Sequence, residues 1–318
     1  MLTTRSVRQP SSAQKPVHPL PMLVFIAIGA GILSGSTAPI FTRFALEAGA
    51  PALVIAFLRL GLAALVVMPF TLVRYRADLR ALTRRDLLVI GTAGVWMALH
   101  FAMWVSSLQY VGVLIATVLV TSSPIWTAIL EVTFLKARFT RALLYGLAAV
   151  LTGNLIISLA GGGGTLGDQP LLGASLAVGA AIAIAVQRTL SRGVRRRVRV
   201  LPFLWLMYGT AALTLLIVVV MAGLPLTGYS PDAYLWIIML TIFPQLIGHS
   251  SFNYALRYLP ATVISLAIQV EPVIATAAAV VVLGEVPLPL QVIGSAVILT
   301  GVVVAAWPKT NTRDLPPA

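Results

Sequence analysis

The chain has 318 residues, of which 59% are hydrophobic and 10% charged, with a mean hydropathy of +0.97 and a formal net charge of +13. Soluble domains carry about 25% charged residues, so this excess of apolar surface needs a bilayer as its solvent, and a water-soluble globule is excluded. Cysteine is absent, which removes disulfides, thiolate nucleophiles and cysteine-based metal sites.

A bilayer core takes about 20 apolar residues per helix, and continuous apolar runs point to helices, because barrel strands alternate polar and apolar. On that measure a polar, disordered tail over 1–20 precedes ten predicted spans. They lie near 22–41, 51–73, 87–108, 112–134, 140–160, 171–190, 201–222, 233–256, 260–283 and 288–307. The first apolar stretch is full length and runs on into further spans, so it reads as an uncleaved signal anchor. Residues 21–160 and 171–307 make two five-helix units, joined by a Gly-rich external linker over 161–170 and followed by a tail over 308–318.

The charge orients this layout. With the N-terminus inside, 20 of the 22 Lys and Arg residues fall on cytoplasmic segments, including Arg188 to Arg199 between spans six and seven; Arg43 is external and Arg59 lies within a span. This positive-inside bias places both termini in the cytoplasm of a plasma-membrane protein. It also accounts for the Arg195–Arg197 cluster without nucleic acid.

Shifting the sequence by 148 residues superimposes Gly31 on Gly179, Gly61 on Gly209, Leu108 on Leu256 and Tyr110 on Tyr258. The same shift brings together Pro124 and Pro272, Leu135 and Leu283, Gly146 and Gly294, and Gly153 and Gly301. An ungapped register over so much of the chain marks an internal repeat. Each half has an odd number of spans, so the second sits upside down relative to the first, a construction that secondary transporters use to enclose a midplane site. The fold class is thus all-α and membrane-integral, with about ten transmembrane helices as two inverted five-helix repeats.

Ala255-Leu256-Arg257-Tyr258, Glu271-Pro272, Leu283-Gly284-Glu285, Gly294 and Gly301 resemble the second repeat of the EamA family, in the drug/metabolite transporter (DMT) superfamily. Leu108, Tyr110, Pro124, Leu135, Gly146 and Gly153 resemble the first, and Phe57-Leu58-Arg59 the family's second-helix arginine stretch. Lys136-Ala137 departs from the Gly-Glu that the first repeat often carries. The resemblance implies ten helices around a central cavity, and transport of amino acids, other metabolites or drugs.

Arg59 lies about 12 Å into its helix at 1.5 Å per residue, where a charge is costly and faces the bundle interior or water. It reads as a ligand for a substrate carboxylate, as a partner to an internal acid, or as an arginine snorkelling to the outer interface. Glu271 is the one acid near the centre of a predicted span. It suits proton coupling, gating, substrate binding or an ion pair with Arg59. Pro272 is expected to kink helix nine and Pro124 helix four, giving a candidate gate with one proline from each repeat. Trp96, His100 and Trp104 share one stripe of helix three, and Gln245, His249 and Asn253 one stripe of helix eight. Both stripes read as cavity walls, with His100, Trp104, His249 and Asn253 as substrate contacts, or as buried interhelical packing. Glu131 is expected to pair with Lys136 or Arg138 at the cytoplasmic interface. Gly31 and Gly35 form a G-x-x-x-G pair, for packing within one subunit or between the protomers of a homodimer.

Rival classes need residues that this sequence lacks. It has no H-E-x-x-H and no nucleotide-binding G-x-x-x-x-G-K-[ST], and its three lysines (Lys15, Lys136, Lys309) lie outside the spans. A membrane enzyme is thereby disfavoured, and a passive scaffold would give the central charges no purpose. No cofactor is implied. The leading expectation is a gradient-driven exporter of small metabolites such as amino acids, with Arg59 on the carboxylate, Glu271 on the ammonium and the proton as a coupling ion. A lipophilic-cation drug exporter is the second reading.

Overall fold

The computed structural model describes residues 21–107, 110, 111, 116, 119–160, 169–271, 273, 274, 277 and 288–306, and the elements among them are helices. Helices α1 (Met22–Gly35) and α2 (Ala38–Glu47) form one apolar stretch. It is interrupted where the hydroxyls of Ser36 and Thr37 donate back to the carbonyls of Leu33 and Ser34 at 2.8 and 2.7 Å. The first span therefore runs on past its expected end at residue 41, with a break in the middle.

Helix α3 (Ala52–Arg74) leads through the short α4 (Arg76–Arg80) to α5 (Arg84–Ser107). A reciprocal cap starts α5. The amide and hydroxyl of Thr83 donate to the Asp86 carboxylate at 3.0 and 2.7 Å, and the Asp86 amide donates to the Thr83 hydroxyl at 3.1 Å.

Helix α6 (Ser123–Leu135) corrects the expectation at Pro124. The proline lies in the first turn of this helix, after a turn at Thr121–Ser122. Its missing amide costs nothing there, so it starts a helix where a kink was expected. Pro272 lies outside the described residues.

Helix α7 (Arg141–Ala160) ends the first half, and α8 (Pro170–Arg195) opens the second. Helix α8 extends more than a turn beyond the expected span 171–190. Arg188, Arg192 and Arg195, read from sequence as loop residues, are therefore helical. Next come α9 (Val200–Met221) and a rod made of α10 (Pro231–Leu240), a π-helical stretch Thr241–His249 and α11 (Ser250–Ala255). Pro244 lies inside the π-helical stretch and has no amide to give the preceding turn. Helix α12 (Ala261–Ile268) ends in a turn at Gln269–Val270, and α13 (Pro289–Ala306) follows. Among the described residues, six stretches have the length and hydropathy to cross a membrane, and α6, α7 and α13 are shorter apolar helices.

The 148-residue offset reappears in the coordinates. Met22 and Pro170, Ala52 and Val200, and Arg141 and Pro289 begin corresponding helices. The helix-ending turns at Thr121–Ser122 and Gln269–Val270 correspond in the same way. Contacts between the halves repeat as well. Helix α5 runs along α8, with His100 beside Ala180, Gly179 under Met103, and Gly173 against Tyr110 and Val111. In the counterpart pair, Gly31 of α1 lies under the ring of Phe252, and Gly248 lies against the α1 backbone.

Helices α7 and α13 cross through four glycines. A Cβ on Gly146 would lie 2.5 Å from the Gly301 carbonyl oxygen, and one on Gly153 would lie 2.6 Å from that of Gly294. The reverse approaches are equally close: a Cβ on Gly294 would meet the Gly153 carbonyl at 2.7 Å, and one on Gly301 the Gly146 carbonyl at 2.8 Å. Only hydrogen as a side chain permits such a seam. The largest apolar cluster joins both halves, with Leu60, Ile90 and Met97 beside Phe203, Met207 and Tyr208.

One end of the molecule is tied by ions. Arg197 bonds Asp86 through Nε at 2.7 Å, Arg199 reaches Asp78 at 3.5 Å, and Arg192 reaches Glu131 at 3.1 Å. Each pair joins an arginine of the second half to an acid of the first.

Glu131 corrects a second expectation. It is fully buried, and besides Arg192 it accepts the amides of Ala261 and Thr262 at 2.8 and 3.0 Å and the Thr262 hydroxyl at 2.7 Å. Its charge thus caps the N-terminus of α12, where exposed amides favour an anion, and it does not pair with Lys136 or Arg138. Lys136 ends α6 in a left-handed conformation, with φ of 51°.

Candidate functional site

Arg59 is the eighth residue of α3 and is 5% exposed. Its Nε and Nη2 both donate to Oε1 of Gln245, at 3.1 and 2.8 Å. Its guanidinium carbon lies 4.7 Å from the Phe101 ring centroid, so it stacks on an aromatic face and does not snorkel outward.

Phe101 gathers the predicted histidines. The His100 ring lies edge-on to it at 5.1 Å, and the His249 ring is tilted against it at 6.1 Å. His100 Nδ1 lies 2.9 Å from the Ala180 carbonyl oxygen, which can only accept, so Nδ1 carries a proton. Trp104, one turn on, is half-buried against the core cluster to which Phe101 and Met207 belong. Arg59, His100 and His249 thus meet around one ring drawn from both halves.

Gln245 belongs to the π-helical stretch and is fully buried. Its Oε1 is taken by Arg59, and its Nε2 has no partner among the described residues. Its backbone carbonyl accepts from Ser250 Oγ at 3.3 Å and lies 3.4 Å from the Tyr208 hydroxyl, which also pairs with Ser250 at 3.1 Å. π-Helical turns occur often at functional sites.

Glu271 is half-buried, and its carboxylate lies over Gly35 of α1, where a Cβ would come 2.6 Å from the carboxyl carbon. A side chain at Gly35 would therefore push the end of the Glu271 side chain aside, so this glycine makes room inside the subunit. No ion pair joins Glu271 to Arg59 among the described residues, although Arg188 and Arg59 both lie within electrostatic reach of it.

Arg188 was missed by sequence reasoning. It is half-buried in α8, and its Nη1 donates to the hydroxyls of Ser265 and Ser123 at 3.1 and 3.3 Å. Thr127 and Ser265 pair at 3.2 Å beside it. A signal was present: Arg188, Arg192 and Arg195 recur at helical spacing, as one face of an extended helix would require.

Asn253 lies apart from the Phe101 cluster. Its Nδ2 turns back to the His249 carbonyl at 2.8 Å, and its own carbonyl accepts from Arg195 Nε at 3.0 Å. Pro124, at the start of α6, is buried between Ser123 and the rest of that helix.

Repeated helices and buried charges at mid-helix depth define a multi-pass membrane protein. Residues 21–159 and 171–307 each match the EamA-like transporter family, and the chain belongs to that family of small-molecule transporters. Over 194 residues it is 28% identical to a probable terminal-alkyne amino-acid exporter from Streptantibioticus cattleyicolor; the match takes in 59% of this chain and 62% of that protein's length. A crystal structure titled only as that of a protein superimposes with a TM-score of 0.76 at 21% identity, over 89% of this chain and 96% of the other. That likeness concerns the fold.

Proposed function

We propose that the chain is a secondary exporter of small metabolites, amino acids foremost, working by alternating access between two inverted repeats. The observation that carries this reading is the Gln269–Thr121 hydrogen bond, in which corresponding residues of the two halves meet where a helix of each half is interrupted. Oppositely oriented halves joined at equivalent points can exchange roles, giving two states of comparable energy. The helix breaks ahead of Pro124 and Pro272 are where each half bends.

Arg59 and Glu271 suit a zwitterion, with the guanidinium on its carboxylate and the acid on its ammonium, while His100, Trp104 and His249 form the walls. Glu271 also serves as the proton-coupling group, since no ion pair fixes it among the described residues and it sits between the halves. The likeness to an amino-acid exporter supports the substrate class.

The test is counterflow in proteoliposomes with the proteinogenic amino acids, propargylglycine and a panel of lipophilic cations. Saturable counterflow of amino acids, lost in Arg59→Ala, is expected. Counterflow of cations alone, unaffected by Arg59→Ala, would replace this reading with drug export.

A further inference from the structure

Among the described residues, the interior between the two halves holds the buried Arg59 and the half-buried Arg188 and Glu271. Elsewhere between the halves, Arg192 has a counter-charge in Glu131, and Arg195, at the last residue of α8, is held by the carbonyls of Asn253 and Val198. Arg59 and Arg188 are held by neutral oxygens only, those of Gln245, Ser123 and Ser265. His100 and His249 lie within electrostatic reach of both arginines. Two guanidiniums therefore face one carboxylate, and the interior is positive whether or not Glu271 carries a proton.

Buried charge without a counter-charge is costly. Ser123 and Ser265 come one from each half and align the guanidinium of Arg188 without neutralising it. Gln245, which holds Arg59 through Oε1, leaves its buried Nε2 donor without a partner among the described residues. The missing charge is an anion, whose acceptors would serve the guanidiniums and this amide.

We propose that Arg188 is a second anchor for the ligand's carboxylate, which makes the preferred substrate a carboxylate-bearing molecule, and that amines lacking an acid are rejected. This rests on the transport reading above and sharpens it. A zwitterion leaves the interior one charge positive, so an N-acylated amino acid, with net charge −1, fits at least as well as the free amino acid. A site for lipophilic cations would need the opposite sign.

The experiment reconstitutes wild-type protein and measures counterflow of leucine, phenylalanine and propargylglycine, each as the free acid, the N-acetyl acid, the amide and the decarboxylated amine. Thermal stabilisation of the detergent-purified protein by the same compounds is measured in parallel. Acids and N-acetyl acids should exceed amides and amines by about tenfold or more in kcat/KM, the size expected for a charge-assisted hydrogen bond. Arg188→Gln should lose this preference through a raised KM for the acids, and Arg188→Lys should keep part of it. Ser123→Ala with Ser265→Ala, which removes the tie and keeps the charge, should retain the preference at reduced turnover. If Arg188 only ties α6 to α12, the double serine variant will match Arg188→Gln and both will keep the preference, which overturns the proposal. Wild-type protein that takes amides as readily as acids overturns it too. If Arg188→Gln does not reconstitute, an acid KM unchanged in Arg188→Lys overturns it instead. Acid-only stabilisation without counterflow would sink the transport reading and keep the anchor; neither stabilisation nor counterflow sinks both.

Discussion

The side-chain amide of Gln269 donates to the carbonyl of Thr121 at 2.8 Å, and the two residues are 148 positions apart, the offset of the repeat itself. The bond therefore crosses the pseudo-symmetry axis and joins two interrupted helices at their interruptions. Such a bond contributes about 1 kcal/mol. If it forms in only one end state, Gln269→Leu should change turnover about fivefold, with substrate KM nearly unchanged. Counterflow kinetics check this; an altered KM at constant turnover would assign Gln269 to the ligand.

Gly35 keeps room for the Glu271 carboxylate. Gly35→Ala should displace that carboxylate and reproduce Glu271→Gln, with loss of the response to an imposed pH gradient. Transport under a reversed gradient is the readout, and a Gly35→Ala protein that still follows the gradient would separate the two residues.

Glu131 is buried and receives two amides, a hydroxyl and Arg192. Removing one partner of such a group strands the rest, at a cost of about 3–5 kcal/mol. Glu131→Ala should lower the thermal midpoint severely, and more than Asp78→Ala, whose ion pair is largely exposed. Equal losses would deny the capping role.

The glycines divide into two kinds. Gly153→Leu would drive a side chain into the α13 backbone and should destabilise by about 1–3 kcal/mol or more. Gly91→Ala meets nothing within 4 Å and should be neutral or stabilising by up to about 1 kcal/mol. Lys136→Gly belongs with the second kind: it relieves a left-handed conformation that costs a side-chain-bearing residue about 1–2 kcal/mol. Thermal unfolding of the three variants tests the division.

Much of this architecture was legible because a bilayer makes apolar length a direct signal, and because the shift that aligned glycines in sequence also aligns helix starts such as Met22 and Pro170. Arg59 was legible from depth alone. Its partner was not, since Gln245 is 186 residues away and acts from a π-helical turn that no periodicity announces. Arg188 was hidden by the rule that oriented the chain: counting it among topogenic loop charges removed it from the interior. Pro124 was misread because a proline inside an apolar run looks the same whether it bends a helix or begins one. Glu131 was assigned to nearby cations, whereas its amide partners belong to residues 130 and 131 positions later.

The ionic ties between the halves differ in shelter. Arg199–Asp78 lies largely in water, Arg197 is half exposed over a covered Asp86, and Arg192–Glu131 is enclosed. Mobile ions screen exposed charges over about 8 Å at physiological strength and reach enclosed pairs far less. Electrolyte in the compartment that bathes this end therefore loosens the outer clasps first and leaves the inner one fastened. The hold between the halves at this end therefore responds to the salinity of the one compartment that bathes it.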